Sequence, residues 1–479
     1  MEKILALDLG TSYLKAALFN RQGALCALAK TPTPISRSPD GGCEMPSERF
    51  RQAVREIVSA LDRPDPRGRR EVVAVTFATQ TNTFLLLDRA DRPLIPFIIW
   101  CDQRARELGG EARKLAQTPG FRSTTGVPSL DSDYMAAKLL WLKRNSPELW
   151  QEAGKLCLLS DYLTHWLTGR HVTEAGAAGL TGTVDIRRLA WWSPFCEQLE
   201  LPPSWLPAIA RAGTDLGPLS GSAAAELGVP AACRFVVGCL DQYAGAIGVG
   251  NVTPGGVSET TGTVLSTVRC ARGFSDHLRE NVFQGPSFDP ALYYQMLFGS
   301  ESANLLESYQ RQLPDRSPFE ELDRLAATAP PGANGLRVRP PALLASAPDA
   351  FAGGDRRHTS AHAARAIMET VALALARQVG QLCGAERPRA IRASGGAARS
   401  DVWLQIKADA LDVPFEATDC AEPTSLGAAI LAGMALGWGT APELAQQWTR
   451  VSRLFNPRPE MHKAYSELFA ELRGIAGAP

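Results

Sequence analysis

Residues 4–19 read Ile4-Leu5-Ala6-Leu7-Asp8-Leu9-Gly10-Thr11-Ser12-Tyr13-Leu14-Lys15-Ala16-Ala17-Leu18-Phe19. Ile4 to Leu7 is a short apolar run of the kind a buried strand carries, and it arrives at Asp8. A Gly-Thr-Ser turn follows, Leu14 to Phe19 forms a second strand, and Asn20-Arg21-Gln22-Gly23 makes the next hairpin turn. The first turn has the chemistry of a phosphate loop. Gly10 lets the backbone approach a phosphate, and Thr11 and Ser12 supply hydroxyl donors. Lys15 reaches back to neutralise charge, and Asp8 suits a hydrated Mg2+. An ordinary hairpin with Asp8 capping its turn accounts for the same residues equally well.

The same grammar returns half a chain later. Gly256-Val257-Ser258-Glu259 leads into Thr260-Thr261-Gly262-Thr263, and Val264 to Val268 leads out. Taken singly this is a Thr-rich turn; as an echo of the first hairpin it becomes a second phosphate cradle. Two such hairpins suggest two related domains facing each other. Between them, strand-like runs (Val72–Phe77, Phe84–Leu87, Pro96–Trp100) alternate with helical spacing. The helical stretches are Ser47–Leu61 with Ser47 as a cap, Asp102–Leu115, Tyr134–Arg144 and Ser160–Leu167. That alternation predicts an α/β protein. A long Ala-rich helix runs from Thr359 to a break after Cys383-Gly384, beyond a loop-rich stretch at 314–358.

Three further constellations stand out. Ser394-Gly395-Gly396-Ala397-Ala398-Arg399-Ser400 is a Gly-Gly turn between a strand and the helical run from Asp401, a place for a flat or phosphorylated group. It has neither GxGxxG nor a Walker A lysine, which disfavours Rossmann and P-loop readings. Asp241-Gln242 ends the strand Arg234–Gly238 before a small-residue helix at Ala244–Val249, and a carboxylate there can act as a general base. Gln80-Thr81-Asn82, with Trp100 and Asp102 downstream, combines amide, hydroxyl and carboxylate groups with an aromatic face, as suits a polyol. His358 and His362 have the spacing of a metal pair, but a solvated helix start explains them better.

Composition narrows the classes. The chain has 479 residues, 50 basic and 50 acidic side chains, and 45% hydrophobic residues. It has the length for two or more domains and no global field for polyanions, so a nucleic-acid partner is not expected. Ten scattered cysteines without a CxxC pair read as reduced thiols rather than a disulfide framework. The near-apolar stretch Leu426–Gly439 is too short to span a bilayer. Met1-Glu2-Lys3 passes straight into a strand-like run, unlike a signal peptide. No membrane partner and a cytoplasmic location are therefore expected.

In order along the chain, these features resemble the FGGY family of carbohydrate kinases, in the actin-like ATPase superfamily. The resemblance rests on Asp8-x-Gly-Thr-x-x-x-Lys15, Leu86-Leu87-Asp88 to Trp100-x-Asp102, Asp161-Tyr162-Leu163 with Leu167-Thr168-Gly169, and Asp241-Gln242 with Gly245–Gly250. It continues through the Thr260–Thr263 and Gly395-Gly396 turns to Glu422-Pro423-Thr424-Ser425-Leu426-Gly427. It implies two RNase H-like domains, 1–243 for the sugar and the base and 244–479 for ATP and adenosine, with a catalytic cleft between them. It also implies ATP- and Mg2+-dependent phosphorylation of a small-molecule sugar or polyol, with Asp241 as base and Asp8 and Asp241 toward the metal. Thr11, Ser12, Lys15 and the Thr260–Thr263 turn would face phosphates, and Gly396 and Ser400 the adenosine. Gln80, Thr81, Asn82, Trp100, Asp102 and Gln242 are the expected sugar contacts. The layout looks most like the xylulokinase branch, so a ketopentose is the expected substrate. A glycerol, erythritol or gluconate kinase and a non-catalytic ATP-binding sensor are the alternatives. A homodimer is the family-level expectation.

Overall fold

The computed structural model describes residues 2–65 and 67–475. The chain forms two compact units. The first holds the chain up to Val252 together with Ala271–Gln295 and Cys420–Thr449. The second holds Thr253–Cys270, Met296–Asp419 and the chain from Arg450 onward.

In the first unit the strand Lys3–Leu9 is buried along its whole length, as a strand covered on both faces must be. It pairs antiparallel with Tyr13–Asn20, which sets Asp8 opposite Lys15. On its other side it runs parallel to Val72–Thr79. The sheet order is Leu25–Pro32, Tyr13–Asn20, Lys3–Leu9, Val72–Thr79, Arg234–Val236 and Asp215–Pro218, and Cys239–Leu240 also pairs with Val72–Thr79. Helix Ser47–Ala60 covers one face with Phe50, Val54, Ile57 and Val58, packed among Leu5, Leu7 and Phe77 of the strands. Pro46, not Ser47, precedes this helix, and no side chain caps it.

The second unit repeats the plan. Val257–Thr261 is antiparallel to Leu265–Arg272 and parallel to Ile391–Ser394, in the order Phe283–Pro286, Leu292–Gly299, Leu265–Arg272, Val257–Thr261, Ile391–Ser394, Phe415–Thr418, Val451–Phe455. Both sheets thus set the first strand of a hairpin between its antiparallel partner and a parallel strand from later in the chain. The repeat visible in two short hairpins extends to this three-strand centre of each sheet.

Several local expectations shift. The strand at Pro96–Trp100 is confined to Phe97–Ile98. The helix expected from Asp102 becomes a 3-10 turn at Arg106–Leu108 and a helix at Gly109–Leu115. Asp102 cannot start it, because its carboxylate accepts the N–H groups of Cys43 and Arg104 in a turn. The helix after the Arg234 strand begins at Asp241 itself and ends at Gly248, three residues ahead of the expected start. It crosses helix Pro423–Ala435 at glycines. A Cβ on Gly248 would lie 1.8 Å from the Pro423 carbonyl oxygen, and one on Gly427 1.8 Å from that of Ala244. The long helix spans Ser360–Cys383, and His362 is spent on its cap by accepting the N–H of Thr359. No helix of the described residues is long and apolar enough to cross a membrane.

Candidate active site

Three strand ends of the first unit lie side by side. Leu9 pairs with Thr79 and Thr79 with Leu240, so Asp8, Gln80 and Asp241 cluster at the carboxyl ends of adjacent parallel strands. That edge is where open α/β sheets bind ligands. Gly10 makes the first turn possible, since a Cβ there would lie 2.8 Å from the Tyr13 carbonyl oxygen. Lys15 Nζ sits 3.4 Å from Asp8 Oδ2 and 2.7 Å from Glu422 Oε2.

The electrostatics follow from burial. Asp8 is almost wholly enclosed, and desolvation pushes its carboxyl above the ordinary range despite Lys15. Around Asp241 so much protein surrounds the carboxyl that burial, then the Asp8 charge, raises it to about 7, against one N–H from Gln242 at 2.7 Å. Desolvation also works against the Lys15 ammonium, but Asp8 and Glu422 outweigh it and keep it protonated. Asp8 and Glu422 thus share one lysine, and the Asp241 carboxyl adds its charge beside Asp8. Hard oxygen donors with excess negative charge fit a hydrated Mg2+. Among the described residues, the group whose donor atoms approach closely enough to ligate a metal directly is Asp91, His165 and His171. There Lys155 already supplies the cation, paired with Asp91.

The remaining candidates divide into pins and open groups. Gln80 is buried, and its Oε1 accepts from Thr11 Oγ1 at 3.1 Å and Thr83 Oγ1 at 2.9 Å. Thr11 in turn accepts the Trp100 indole N–H at 2.8 Å. Thr81 donates to the Ala177 carbonyl at 2.6 Å, and Asn82, at φ 57°, accepts the N–H of Met135 at 2.9 Å. Asp102 is buried against Arg104 at 2.7 Å. The polar tips of Gln80, Thr81, Asn82 and Asp102 hold the loops in shape rather than stand open. Trp100 keeps 37% of its surface exposed, Ser12 is exposed, and Gln242 is partly so.

In the second unit the Thr-rich turn meets the Gly-Gly turn. Thr260 lies opposite Ser394, their hydroxyls 2.7 Å apart, and a Cβ on Gly395 (φ 83°) would come within 2.8 Å of the Thr261 carbonyl oxygen. A Cβ on Gly396 would meet nothing within 4 Å, so that backbone is open to a ligand. Thr261 does not present its hydroxyl as expected. It is fully buried, donating to Glu259 Oε2 at 2.6 Å and accepting from Lys407 Nζ at 2.8 Å. Glu259 and Lys407 form an ion pair at 2.7 Å with no exposed surface on either side chain. A buried carboxylate needs such a partner, and the pair recruits Thr261 behind the turn. Thr263 is the exposed hydroxyl, while the Gly262 carbonyl is fixed by Ser302 Oγ at 2.7 Å. Ser400 is buried and caps helix Asp401–Leu411 through the N–H of Trp403 at 3.0 Å.

Sequence reasoning missed two supports. Lys138, 1% exposed, donates to the carbonyls of Trp100 at 2.7 Å and Asp133 at 2.6 Å, and burial lowers its ammonium to about 8. Glu174 accepts the N–H groups of Gly176, Ala177 and Leu240 at 2.6, 2.7 and 3.2 Å, and burial raises it to about 7. It fastens the strand end that presents Asp241. Lys138 reads like any lysine in a helical run. The faint signal for Glu174 was an acidic residue directly before an Ala-Gly stretch.

Comparison with known proteins gives the family. Residues 3–248 match the N-terminal domain, and residues 229–436 the C-terminal domain, of the FGGY family of carbohydrate kinases. The chain is 26% identical to a xylulose kinase of Bacillus subtilis, covering 99% of this chain and 97% of the relative. It is 31% identical to a glycerol kinase of Aromatoleum aromaticum, covering 95% of each. A crystal structure of a gluconate kinase from Lactobacillus acidophilus superposes with a TM-score of 0.88 at 25% identity, over 99% of this chain and 98% of that one. With both domain models matched in order and the two-unit α/β fold reproduced, this chain belongs to the FGGY family of carbohydrate kinases.

Proposed function

We propose that this kinase transfers a phosphoryl group from ATP to a hydroxyl of a ketopentose such as xylulose, with Asp241 as general base. The observation that carries the reading is the raised carboxyl of Asp241 beside buried Asp8 at neighbouring strand ends. A base with a pKa near the working pH takes a proton from an attacking hydroxyl most effectively. Asp8 and Asp241 are the residues that would hold Mg2+, which supplies charge neutralisation to the phosphates when bound. Gly10, Ser12 and Lys15 in one turn, and Gly262 and Thr263 in the other, are the proposed phosphate contacts. Gly396 offers open backbone for the nucleotide, at a turn that Gly395 packs against Thr261. Trp100 offers an apolar face to the sugar, held in place by Lys138 and Thr11.

The Bacillus subtilis xylulose kinase, matched over 99% of this chain, supports the ketopentose. The glycerol and gluconate kinases support a second reading, a polyol or sugar acid. ADP release with Mg-ATP against xylulose, ribulose, glycerol, erythritol and gluconate separates them, and a ketopentose is expected to dominate. Asp241→Asn should lower sugar-dependent turnover by about 10²–10⁴-fold while nucleotide still binds. A fully active Asp241→Asn enzyme would remove Asp241 from the base role.

A further inference from the structure

Two of the free cysteines face each other. The Sγ atoms of Cys43 and Cys101 lie 3.5 Å apart. Cys43 opens the strand Cys43–Met45, which pairs with Phe97–Ile98. The N–H of Ile99 donates to the Cys43 carbonyl at 2.9 Å, and that of Gln103 to the Gly41 carbonyl at 2.9 Å. Asp102 accepts the Cys43 N–H at 2.7 Å. The segment carrying Trp100 is therefore laid along the segment carrying Cys43, and the two thiols meet across that seam.

The thiols differ in environment. Cys101 is partly exposed, and the Arg37 guanidinium lies 3.7 Å from its sulfur. Cys43 is fully buried, and burial followed by the neighbouring thiol pushes it up to about 12. One thiol is thus reachable from solvent, and the other is protonated and held in contact with it.

We propose that Cys43 and Cys101 are an oxidation site that closes to a reversible disulfide under hydrogen peroxide and, by moving Trp100, weakens sugar binding. The thiolate of Cys101 attacks one peroxide oxygen, the O–O bond breaks, and the departing hydroxide takes up a proton to leave as water. This gives a sulfenic acid on Cys101. The Cys43 sulfur then attacks the Cys101 sulfur. The S–S bond forms, the S–O bond breaks, and the leaving hydroxide carries off the Cys43 proton as a second water. Two thiols are oxidised and one peroxide is reduced. A disulfide needs its sulfurs about 2.05 Å apart, so the pair must close by roughly 1.5 Å. Cys101 is bonded through the chain to Trp100 and Asp102, and closure draws both toward Cys43. The bond is independent of the substrate reading, whereas its effect on sugar binding rests on Trp100 being a sugar contact.

The test treats the full-length protein with hydrogen peroxide, blocks remaining thiols by alkylation, and maps peptides without reductant. The expected result is a crosslinked peptide joining Cys43 to Cys101, lighter by two hydrogens. A KM for the sugar raised about tenfold or more, with KM for ATP little changed, should accompany it and reverse with a thiol reductant. Cys43→Ser, with Cys43→Ala as a second variant and a melting curve to show folding, should turn over normally before peroxide and lack the reversible loss. Recovery of both cysteines as alkylated thiols overturns the site, and a crosslink with unchanged KM overturns the switch. If the reduced protein phosphorylates none of the sugars, the kinase assignment of substrate fails, yet the crosslink is still read by mass.

Discussion

The base role proposed for Asp241 ties function to stability at the level of one residue. Its carboxyl titrates near 7 in the fold against about 3.9 for an exposed aspartate. A carboxyl raised on folding contributes stability that is complete below the unfolded pKa and lost as pH rises through the folded one. Asp241→Asn, which removes that charge, should therefore melt higher than the native chain at pH 8, with the gap shrinking as pH falls toward 4. If Asp241 is the base, as proposed, the native enzyme's kcat/KM should climb with pH through a midpoint near 7 as its carboxyl deprotonates. Melting curves at several pH values and a pH–rate profile check both; a variant less stable at pH 8 would refute the first. The placing of Asp241 and Asp8 at strand ends, with Lys15 across the turn, was legible in the sequence because a charged residue at a strand end is conspicuous among apolar neighbours. Thr261 was misplaced because its burial depends on Lys407, 146 residues away, and no local pattern encodes that pairing.

At the scale of elements, the glycines matter more than the hydrophobic runs around them. Helices Asp241–Gly248 and Pro423–Ala435 touch backbone to backbone where Gly248 meets Pro423 and Gly427 meets Ala244. Gly248→Ala should force these helices apart, costing about 1–3 kcal/mol as overpacking does, and tilt Asp241 at the far end of its helix. We expect a lower melting temperature together with a lower kcat, and unchanged values of both would show that the seam is loose. Both hairpins were readable because strand–turn–strand order is local, and so were the helices with clear apolar spacing. The Asp102–Leu115 helix was overdrawn because its opening residues satisfy their polar groups against Cys43 and Arg104, a tertiary choice. That Gly427 and Gly248 belong to one contact was not readable, since small residues in a helix signal closeness without naming the partner.

For the whole molecule, sequence order and spatial order part company. The chain leaves the first unit after Val252 and returns to it at Ala271–Gln295 and again at Cys420–Thr449. The last return brings Glu422 to Lys15 and lays helix Pro423–Ala435 against strands Lys3–Leu9 and Val72–Thr79. A fragment ending at residue 252 should therefore expose that sheet face and be insoluble or molten. Adding a separate peptide of residues 420–449 should restore part of its near-ultraviolet circular dichroism. A cooperatively folded fragment would show instead that the returning helix is dispensable. The α/β class was evident from the sequence, and two echoing hairpins suggested a repeat, but these returns were not readable, because a helix that goes home to an earlier sheet reads like any other. They also set a clock on biosynthesis. At about 5–20 residues per second, the ribosome needs on the order of 10–40 s to go from residue 252 to residue 449. For that interval the nascent first unit waits with an uncovered apolar sheet, which makes it a natural client for a ribosome-associated chaperone.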